Sequence, residues 1–575
     1  MTRVGGLDGL AEALRTLQPP SRVIIDAAAL VSSLDLRGAH DLTHQVLRVF
    51  QSLLQEPRLQ HAELVVLTEG AVSTNADEES QGVEPQMPWQ APIWGLLRSI
   101  RIEHPDRRIR VMDVDAESSA SAILAALQIE DEPELALRLG SVYAPRLAPL
   151  VSFTYGLSAP ARPALSRISQ GTVLITGGTG ELGSELARHL VNRYGARSLI
   201  LVSRRGTDSS GTSALVMELT KLGANVQVVA GDVANRQALS DVISSIPATL
   251  PLRAVFHCAA QLDDGLIMEL TSERIDRVFA AKVDAAFHLH TLTESLDLDA
   301  FVFYSSIAGV MGSAGQANYA AANAFLDALS AYRRKRGLPG QSLAFGLWQS
   351  QGQGLSSRLG AHDLARLARQ GLGEIPHHEG LALVDAALER PESLLIPVRL
   401  STDRLGQFAD MVPAMLRLLV SVPRKQTPAK LPQEAEVELR DQLGALSTDE
   451  QVRKVLALLC GEVALVLGLA SAQALSPEQS LRDLGIDSLM AVELRNRLQG
   501  RLGVRFELSA IWRISNLQEF AVELVRLISA QSRTQVGTLD AGAVASKEVD
   551  SSHLPKSSQS TALRPFLAPL SAGQQ

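Results

Sequence analysis

Residues 173–183 read Val173-Leu-Ile-Thr-Gly177-Gly-Thr-Gly180-Glu-Leu182-Gly183, and this stretch decides the fold. An apolar run enters a glycine-rich turn, and an amphipathic helical pattern leaves it. The glycines allow a tight turn and let the backbone approach a pyrophosphate at the start of the helix. The pattern predicts the first strand, phosphate loop and first helix of a dinucleotide-binding fold, with Gly177, Gly180, Leu182 and Gly183 as cofactor-binding residues.

Predicted strands and helices alternate on both sides of this stretch, which is typical of parallel sheets covered by helices. We therefore predict an α/β fold with two Rossmann-like, doubly wound units, over residues 1–165 and 166–402. The predicted strands of the second unit are Thr172–Thr176, Ser198–Ser203, Val226–Ala230, Ala254–His257, Phe301–Tyr304, Ser342–Phe345 and Leu394–Val398.

The first unit has no glycine-rich loop after any predicted strand, so we expect a structural partner that binds no cofactor. Its predicted strands are Arg22–Ile25, Glu63–Leu67 and Ile109–Val114, and its predicted helices are His40–Leu54, Ile93–Ile102 and Pro133–Leu139. The remaining chain is predicted to be a proline-containing linker over 403–440, a small all-α bundle over 441–530, and a flexible tail or the start of a following domain over 531–575.

Composition excludes several classes of protein. The chain has 575 residues, a formal net charge of −8 and 4% aromatic residues, which argues against a nucleic-acid partner. Two cysteines exclude a disulfide framework, and the 12 histidines show no spacing that indicates a metal site. No apolar run is long enough to span a membrane, and the first residues do not form a signal peptide, so we expect a cytoplasmic protein with no membrane contact.

The end of the second strand in the glycine-loop unit indicates the cofactor. An NAD site usually places an acidic residue there, whereas this chain has Ser203-Arg204-Arg205. A guanidinium suits the 2′-phosphate of NADPH, with Arg204 as the preferred ligand. Asp232, after the third strand, is predicted to meet the adenine amino group. The alternative is that both arginines only solvate the surface.

The catalytic candidates follow the fifth strand, where Ser305-Ser306 ends the strand and Tyr319 lies on the next helix. A doubly wound sheet binds its ligand at this edge. Tyrosine has an ordinary pKa of about 10, so proton transfer near neutral pH needs a nearby cation. Short-chain reductases commonly place a lysine four residues after the tyrosine, but here Asn323 stands there, and Lys282 is the candidate cation.

This exchange of lysine and asparagine resembles the ketoreductases of modular polyketide synthases, and residues 1–400 resemble their paired structural and catalytic halves. The resemblance implies that Ser306 hydrogen-bonds the substrate ketone and that Tyr319 protonates it. It also implies that Lys282 lowers the pKa of Tyr319 and that Asn323 organises a proton relay. Ser306 stands 13 residues before Tyr319, as in the family. Taken singly, each residue could have a purely structural role. The serines could end a strand, Tyr319 could belong to a helix core, and Asn323 could be a surface amide.

A second resemblance concerns Leu481-Arg-Asp-Leu-Gly-Ile-Asp487-Ser488-Leu, which is similar to the modification site of an acyl carrier domain. It implies that a phosphopantetheinyl transferase attaches 4′-phosphopantetheine to Ser488, and that the arm carries an acyl thioester. The alternative is that Ser488 only caps a helix.

Three residues bear on stereochemistry by resemblance. Leu262-Asp263-Asp264 is similar to the signature of B-type ketoreductases, which implies a D-hydroxyl product. The tryptophan that marks A-type enzymes is replaced by Met311, and the proline of epimerising B-type enzymes is replaced by Ala321, so no α-epimerisation is expected. The alternative is that the two aspartates only cap a helix.

Together these motifs predict NADPH-dependent reduction of a carrier-bound β-ketoacyl thioester to a D-β-hydroxyacyl thioester. The expected partners are ketosynthase and acyltransferase domains, whose signatures this chain lacks. The ending Pro-Leu-Ser-Ala-Gly-Gln-Gln over 569–575 resembles the opening of a condensation domain, a further possible partner. The alternatives are a segment of a fatty acid synthase, or a carrier and docking module with a vestigial reductase.

Overall fold

A computed structural model describes residues 18–74, 87–150, 165, 167–349, 372–401, 414–419, 443–539 and 564–571. Within 443–539 it leaves out residues 444–445, 468, 470, 482–483, 485, 487, 505, 507–509 and 512–513. None of the described helices has the length and apolar character needed to cross a membrane. The described residues fall into two compact units, one formed by residues 18–419 with 564–571 and the other by residues 443–539. The predicted linker over 403–440 lies almost wholly outside the described residues.

The N-terminal half of the first unit is a sheet with helices packed on it. Its strands are β1 Arg22–Asp26, β2 Glu63–Glu69, β3 Ile109–Val114, β4 Glu134–Arg138 and β5 Ser141–Leu150, and its helices are α1 Leu36–Gln55, α2 Ala91–Glu103 and α3 Ala120–Ala126. The first four strands are parallel and lie in chain order, and β5 is antiparallel to β4. Among the described strands this order has no reversal, so this sheet lacks the switch point at which doubly wound sheets bind ligands.

Side chains close the carboxyl ends of β2 and β3. The carboxylate of Asp113 is fully buried, accepts the amide N–H of Ala71 at 2.9 Å and pairs with Arg138. Thr68 donates its hydroxyl to the same carboxylate at 2.5 Å. In a doubly wound sheet a dinucleotide binds at the carboxyl ends of the strands. In this sheet a buried ion pair fills that position.

The prediction of a helix over Pro133–Leu139 is wrong, because these residues form β4. Glu, Leu, Ala and Arg favour helices, but here they alternate along a strand that pairs with β3 on one side and β5 on the other. Leu139 and Gly140 have φ angles of 48° and 78°, as a two-residue hairpin turn requires. Tertiary pairing thus overrides local helix propensity.

The second half carries a seven-stranded sheet. Its strands are β6 Thr172–Thr176, β7 Ser198–Ser203, β8 Asn225–Ala230, β9 Leu252–His257, β10 Ala300–Ser306, β11 Gln341–Phe345 and β13 Leu394–Leu395, with a small hairpin of β12 Leu372–Gly373 and β14 Arg399–Leu400 beside it. The order is β13-β11-β10-β9-β6-β7-β8, and all pairs within it are parallel. This is the predicted doubly wound order, with its switch point between β6 and β9.

The helices of the second half pack on both faces of this sheet. They are α4 Glu181–Tyr194, α5 Thr212–Lys221, α6 Arg236–Ser244, α7 Ser272–Phe279, α8 Ala285–Thr293, α9 Ile307–Met311, α10 Ala317–Lys335 and α11 His377–Leu388. A π-helical turn over Ala280–Asp284 joins α7 to α8. Such turns often occur at functional sites, and Lys282 lies within this one.

The two halves are joined where α2 packs against α10. A Cβ added to Gly95 would lie 2.1 Å from the carbonyl oxygen of Ala320, so the helices approach closely. At the end of α2 the carboxylate of Glu103, only 2% exposed, accepts the N–H groups of Gly315 and Ile267, both at 2.8 Å. A side chain of the first half therefore holds two loops of the second.

Residues 564–571 form a strand, β15 Arg564–Ser571, which lies parallel to β5 at the edge of the first sheet. The sequence analysis instead predicts a flexible tail or the start of another domain here. An edge strand has unpaired backbone groups that a further strand can pair with, which explains how residues after a polar stretch become ordered. Residues 572–575, which end the condensation-domain resemblance, lie outside the described residues.

The second unit is helical. Its main helices are α12 Thr448–Leu467, α13 Ser488–Leu502 and α14 Leu517–Leu539. Their apolar faces share a core that includes Leu459, Leu494 and Phe520. The buried Glu462 of α12 pairs with Arg497 of α13 at 2.6 Å, so an ion pair supplements the apolar contact between the two helices.

We expect Glu103→Ala to lower the free energy of unfolding by about 2–5 kcal/mol, because two buried N–H groups would lose their acceptor. Glu103→Gln keeps one acceptor oxygen and should fall between Ala and wild type. The measurement is the urea midpoint followed by intrinsic fluorescence. Glu117→Ala, at an exposed carboxylate, is the control and should change stability by less than about 0.5 kcal/mol. Equal urea midpoints for Glu103→Ala and Glu117→Ala would contradict the conclusion that Glu103 stabilises the protein by holding these two loops.

Candidate active site

The glycine loop joins β6 to α4, beside the switch point. Gly177 has φ +67°, and a Cβ there would lie 2.8 Å from the backbone N of Ala259. A Cβ on Gly183 would lie 2.3 Å from the carbonyl oxygen of Gly177. Gly180 precedes the first turn of α4 with no side-chain cap, which leaves the helix N-terminus open toward a phosphate. The partly buried Leu182, in the first turn of α4, packs against the core under the loop, and its contact with a cofactor stays a prediction.

The residues predicted to select the cofactor lie at the carboxyl ends of β7 and β8. The hydroxyl of Ser203 is buried and has no hydrogen-bond partner among the described residues. Arg204 and Arg205 are exposed, and Arg204 donates to the side-chain oxygen of Gln261 at 3.0 Å. Asp232 accepts the N–H of Ala234 at 3.0 Å. An orphaned hydroxyl and two exposed guanidiniums beside an open glycine loop fit a phosphorylated dinucleotide.

Three of the catalytic candidates meet at the start of α10. The side chains of Ser306 and Asn323 both lie close enough to the hydroxyl of Tyr319 to favour its ionised form. Burial raises the pKa of Tyr319 to about 12, although Asn323 and Ser306 act in the opposite direction. The amide of Asn323 donates to the carbonyl oxygen of Tyr319 at 2.8 Å, and its side-chain oxygen has no partner among the described residues. That oxygen is available to accept a hydrogen bond.

The neighbouring Ser305 has a different environment. It is buried, and its hydroxyl donates to the carbonyl oxygen of Asn323 at 3.4 Å. The partly exposed Ser306 accepts the N–H of Ala308 at 3.2 Å, as the N-cap of α9, and faces Tyr319. The geometry therefore favours Ser306 over Ser305 as a group that can touch a substrate.

Lys282 completes the group. Its ammonium nitrogen lies 5.3 Å from the centre of the Tyr319 ring and donates to the carbonyl oxygen of Tyr304 at 2.9 Å. Lys282 is 1% exposed, and this burial lowers its pKa to about 8, with Asp327 acting against the shift. A cation is thus held under the aromatic ring at neutral pH.

Asp327 was not singled out from the sequence, and it is the carboxylate that bears on Lys282. It lies two helical turns after Tyr319 on α10 and accepts the hydroxyl of Ser342 at 2.6 Å. Burial raises the pKa of Asp327 to about 6, partly offset by hydrogen bonds from Ser342 and Ser305. Spacing of eight residues from Tyr319 places it on the same side of the helix, which is the signal available in the sequence.

The Leu262-Asp263-Asp264 stretch lies on a loop beside Tyr319. Partial burial acts to raise the pKa of Asp263. Hydrogen bonds from Arg277 and Arg274 outweigh this effect, so the pKa of Asp263 lies below its ordinary value. Asp264 is exposed and accepts from Gln316 at 2.9 Å, just before α10. Leu262 is half-buried. Asp263 thus holds this loop against α7, and Asp264 holds it against the start of α10.

Ser488 is the first residue of α13, which agrees with its predicted position at a helix start. Asp487 and Gly485 lie outside the described residues, and so does the side chain of Ser488. In the helix that follows, Val492, Leu494 and Leu498 are buried in the bundle.

Three family models match the chain in its own order. The Rossmann fold domain of polyketide synthase extender module SpnB matches residues 3–147, a KR domain matches 171–350, and a phosphopantetheine attachment site matches 457–523. These ranges correspond to the N-terminal sheet, the glycine-loop sheet and the helical unit.

Curated relatives are similar over most of this chain. Spectinabilin polyketide synthase system protein NorA′ of Streptomyces orinoci is 44% identical over 472 residues, which are 82% of this chain and 12% of that protein. Polyketide synthase GfsA of Streptomyces halstedii is 42% identical over 482 residues, 83% of this chain and 6% of that protein. The chain therefore spans only a small part of these relatives.

Solved structures share the fold. One described as A-type ketoreductases from a modular polyketide synthase has a TM-score of 0.61 and 34% identity, covering 71% of this chain and 84% of that one. The first ketoreductase of the tylosin synthase has a TM-score of 0.57 and 34% identity, covering 71% and 83%. A C2-type ketoreductase has a TM-score of 0.54 and 29% identity, covering 63% and 75%. The chain belongs to the ketoreductases of modular polyketide synthases, reductases of the short-chain dehydrogenase type, and it carries a phosphopantetheine carrier domain.

Proposed function

We propose that this chain reduces a carrier-bound β-ketoacyl thioester to a D-β-hydroxyacyl thioester with NADPH. The observation that carries the proposal is the meeting of Ser306, Asn323 and Lys282 around Tyr319, beside an open glycine loop. A ketoreductase domain uses a nicotinamide dinucleotide, which supplies a hydride when bound.

The side chains have distinct roles in this proposal. Ser306, partly exposed, hydrogen-bonds the ketone oxygen and holds it near Tyr319, whose hydroxyl gives the proton. Lys282 favours the tyrosinate left behind, because a cation near a phenol stabilises its charged form. The unpartnered side-chain oxygen of Asn323 would accept a hydrogen bond from a water, and this water, in exchange with solvent, would give a proton back to the tyrosinate. Gly177, Gly180 and Gly183 would hold the pyrophosphate, and Arg204 and Arg205 the 2′-phosphate.

The chain is proposed to work within a polyketide assembly line. A phosphopantetheinyl transferase would load Ser488, and ketosynthase and acyltransferase domains would deliver the β-keto group. These relatives are named as polyketide synthase proteins, which supports this setting. A downstream condensation domain remains a hypothesis on residues 569–575 alone.

The first functional prediction concerns the cofactor and the proton donor. We expect NADPH oxidation with a β-ketoacyl thioester to be much faster than NADH oxidation, and Arg204→Ala to raise KM for NADPH about 10- to 100-fold through loss of a charge-assisted contact. Tyr319→Phe should lower kcat by about 10²- to 10⁴-fold. Steady-state kinetics measure both. Lys221→Ala removes an exposed charge and should change neither constant. Equal rates with both cofactors, or full turnover in Tyr319→Phe, would contradict the corresponding assignment.

The second prediction concerns Asp327. Between pH values of about 6 and 8, Asp327 is ionised and Lys282 is protonated, so the carboxylate keeps the ammonium charged. Asp327→Asn should lower the pKa of Lys282, and the high-pH limb of kcat/KM should move down by about one pH unit. The pH–rate profile measures this. Asp385→Asn on α11 is the control and should leave the limb in place. If Asp327→Asn lowers the plateau of kcat/KM but leaves its high-pH limb at the same pH, Asp327 has only a structural role.

The third prediction concerns the carrier domain. With coenzyme A and a phosphopantetheinyl transferase, the chain should gain one arm of about 340 Da, and Ser488→Ala should gain none. Intact-mass spectrometry measures the shift. Ser476→Ala, in the same unit, should be loaded like wild type. A shift that survives in Ser488→Ala would place the arm on another residue.

The fourth prediction concerns the product. Because the Leu262-Asp263-Asp264 loop lies beside Tyr319 and is held by Arg274 and Arg277, it can shape one side of the entrance for the substrate arm. We expect mainly the D-alcohol, with an unepimerised α-carbon, and a loss of selectivity in Asp263→Ala. Chiral chromatography against a borohydride-reduced racemate measures both. Mainly L-alcohol from the wild-type chain would overturn the stereochemical proposal and leave the reductase proposal intact.

A further inference from the structure

A cluster of two histidines and one carboxylate links the two halves away from the active site. His40 and His44 lie four residues apart on α1, on one face of the helix. Asp276 comes from α7 of the other half, with its Oδ1 atom 2.7 Å from Nδ1 of His40 and 2.8 Å from Nε2 of His44. The three atoms all lie within 4.8 Å of one another.

The surroundings of the cluster are those of a ligand set. The second ring nitrogen of His40, Nε2, lies 2.8 Å from a carboxylate oxygen of Asp284. Metal-binding histidines usually have such a carboxylate, which fixes the ring and its tautomer. Nε2 of His44 is buried and close to Asp276, yet no hydrogen bond of adequate alignment reaches it from the described residues. Its hydrogen-bonding capacity is therefore unused by the described residues, and loss of a proton from this nitrogen would leave a lone pair for an ion.

We propose that His40, His44 and Asp276 bind a zinc ion, with Asp284 as the supporting carboxylate and water as the fourth ligand. Two imidazoles and a carboxylate suit Zn²⁺, whose bonds to nitrogen and oxygen are about 2.0–2.2 Å. Tetrahedral ligand atoms then lie about 3.3–3.5 Å apart, so the side chains must separate by roughly half an ångström from their present distances. The Asp276 side chain is 45% exposed, which gives the ion and its water a path from solvent.

The ion would join α1 to α7, and this goes beyond the proposed reductase function. Arg274 and Arg277, on either side of Asp276 on α7, hold the carboxylate of Asp263. Zinc would thus fix the helix that supports the loop beside Tyr319. No metal site is predicted from the sequence, on the ground that the histidines lack ligand-like spacing. His40 and His44 do have such a spacing on a helix, and the carboxylate that joins them, Asp276, lies far along the chain.

The test uses the full chain without an affinity tag, stripped with chelator and dialysed against zinc. We expect one zinc per chain by plasma mass spectrometry, and an intense visible absorption band of tetrahedral Co²⁺ when cobalt is added instead. Both should be lost in His44→Ala. Asp284→Asn, which leaves all three ligands, should weaken binding about 10- to 100-fold. His378→Ala, at an exposed histidine of α11, should bind like wild type.

Folding and binding are separated by two further readouts. Circular dichroism checks that each variant is folded, and zinc should raise the unfolding temperature of wild type and His378→Ala but not of His44→Ala, because an ion that binds only the folded state stabilises it. If wild type retains no more zinc than His44→Ala and gives no cobalt band, the cluster consists of histidine–aspartate hydrogen bonds alone and the proposal is overturned. None of these readouts depends on reductase activity.

Discussion

The close packing of α2 against α10 is the constraint on which the catalytic geometry depends. Gly95 leaves no room between the helices, and Glu103 fixes the loop four residues before Tyr319 together with the loop after Asp264. A buried carboxylate that accepts two backbone N–H groups has few alternative positions, because any movement would leave polar groups without partners in a region that excludes water. The half that lacks a glycine loop therefore contributes directly to the position of Tyr319 in the other half.

The second constraint is electrostatic. Burial of Lys282 and of Tyr319 opposes charge on both, and it leaves a pKa of about 8 for the lysine and about 12 for the tyrosine. A cation in this environment requires compensation, which comes from the carbonyl oxygen of Tyr304 and from Asp327. The π-helical turn that carries Lys282 positions the ammonium under the tyrosine ring without a lysine four residues after Tyr319 on α10. Asn323 can therefore occupy the position that a lysine has in most short-chain reductases.

Local patterns in the sequence predicted the second sheet and the site residues that lie on it, because a glycine loop and strand ends are determined by nearby residues. Contacts between distant segments were not predictable in the same way. Glu103 precedes its partner Gly315 by more than 200 residues, and nothing near it in the sequence marks it as buried. Glu134 lies in a helix-favouring run, yet Arg98 and Arg101 hold it in a strand. The order of the first sheet likewise depends on which strands pair, and hydrophobic periodicity does not encode that.

Stereochemical choice has to reside in local structure, since solved ketoreductases described as A-type and as C2-type share this fold. The side chain of Asp263 is occupied by Arg274 and Arg277 and cannot also bind a substrate with the same oxygens. Its contribution is therefore to hold the loop in place, beside the exposed Asp264 and the half-buried Leu262. In the proposed D-selective reduction, Asp263 would therefore act through the position of its neighbours rather than by touching the substrate.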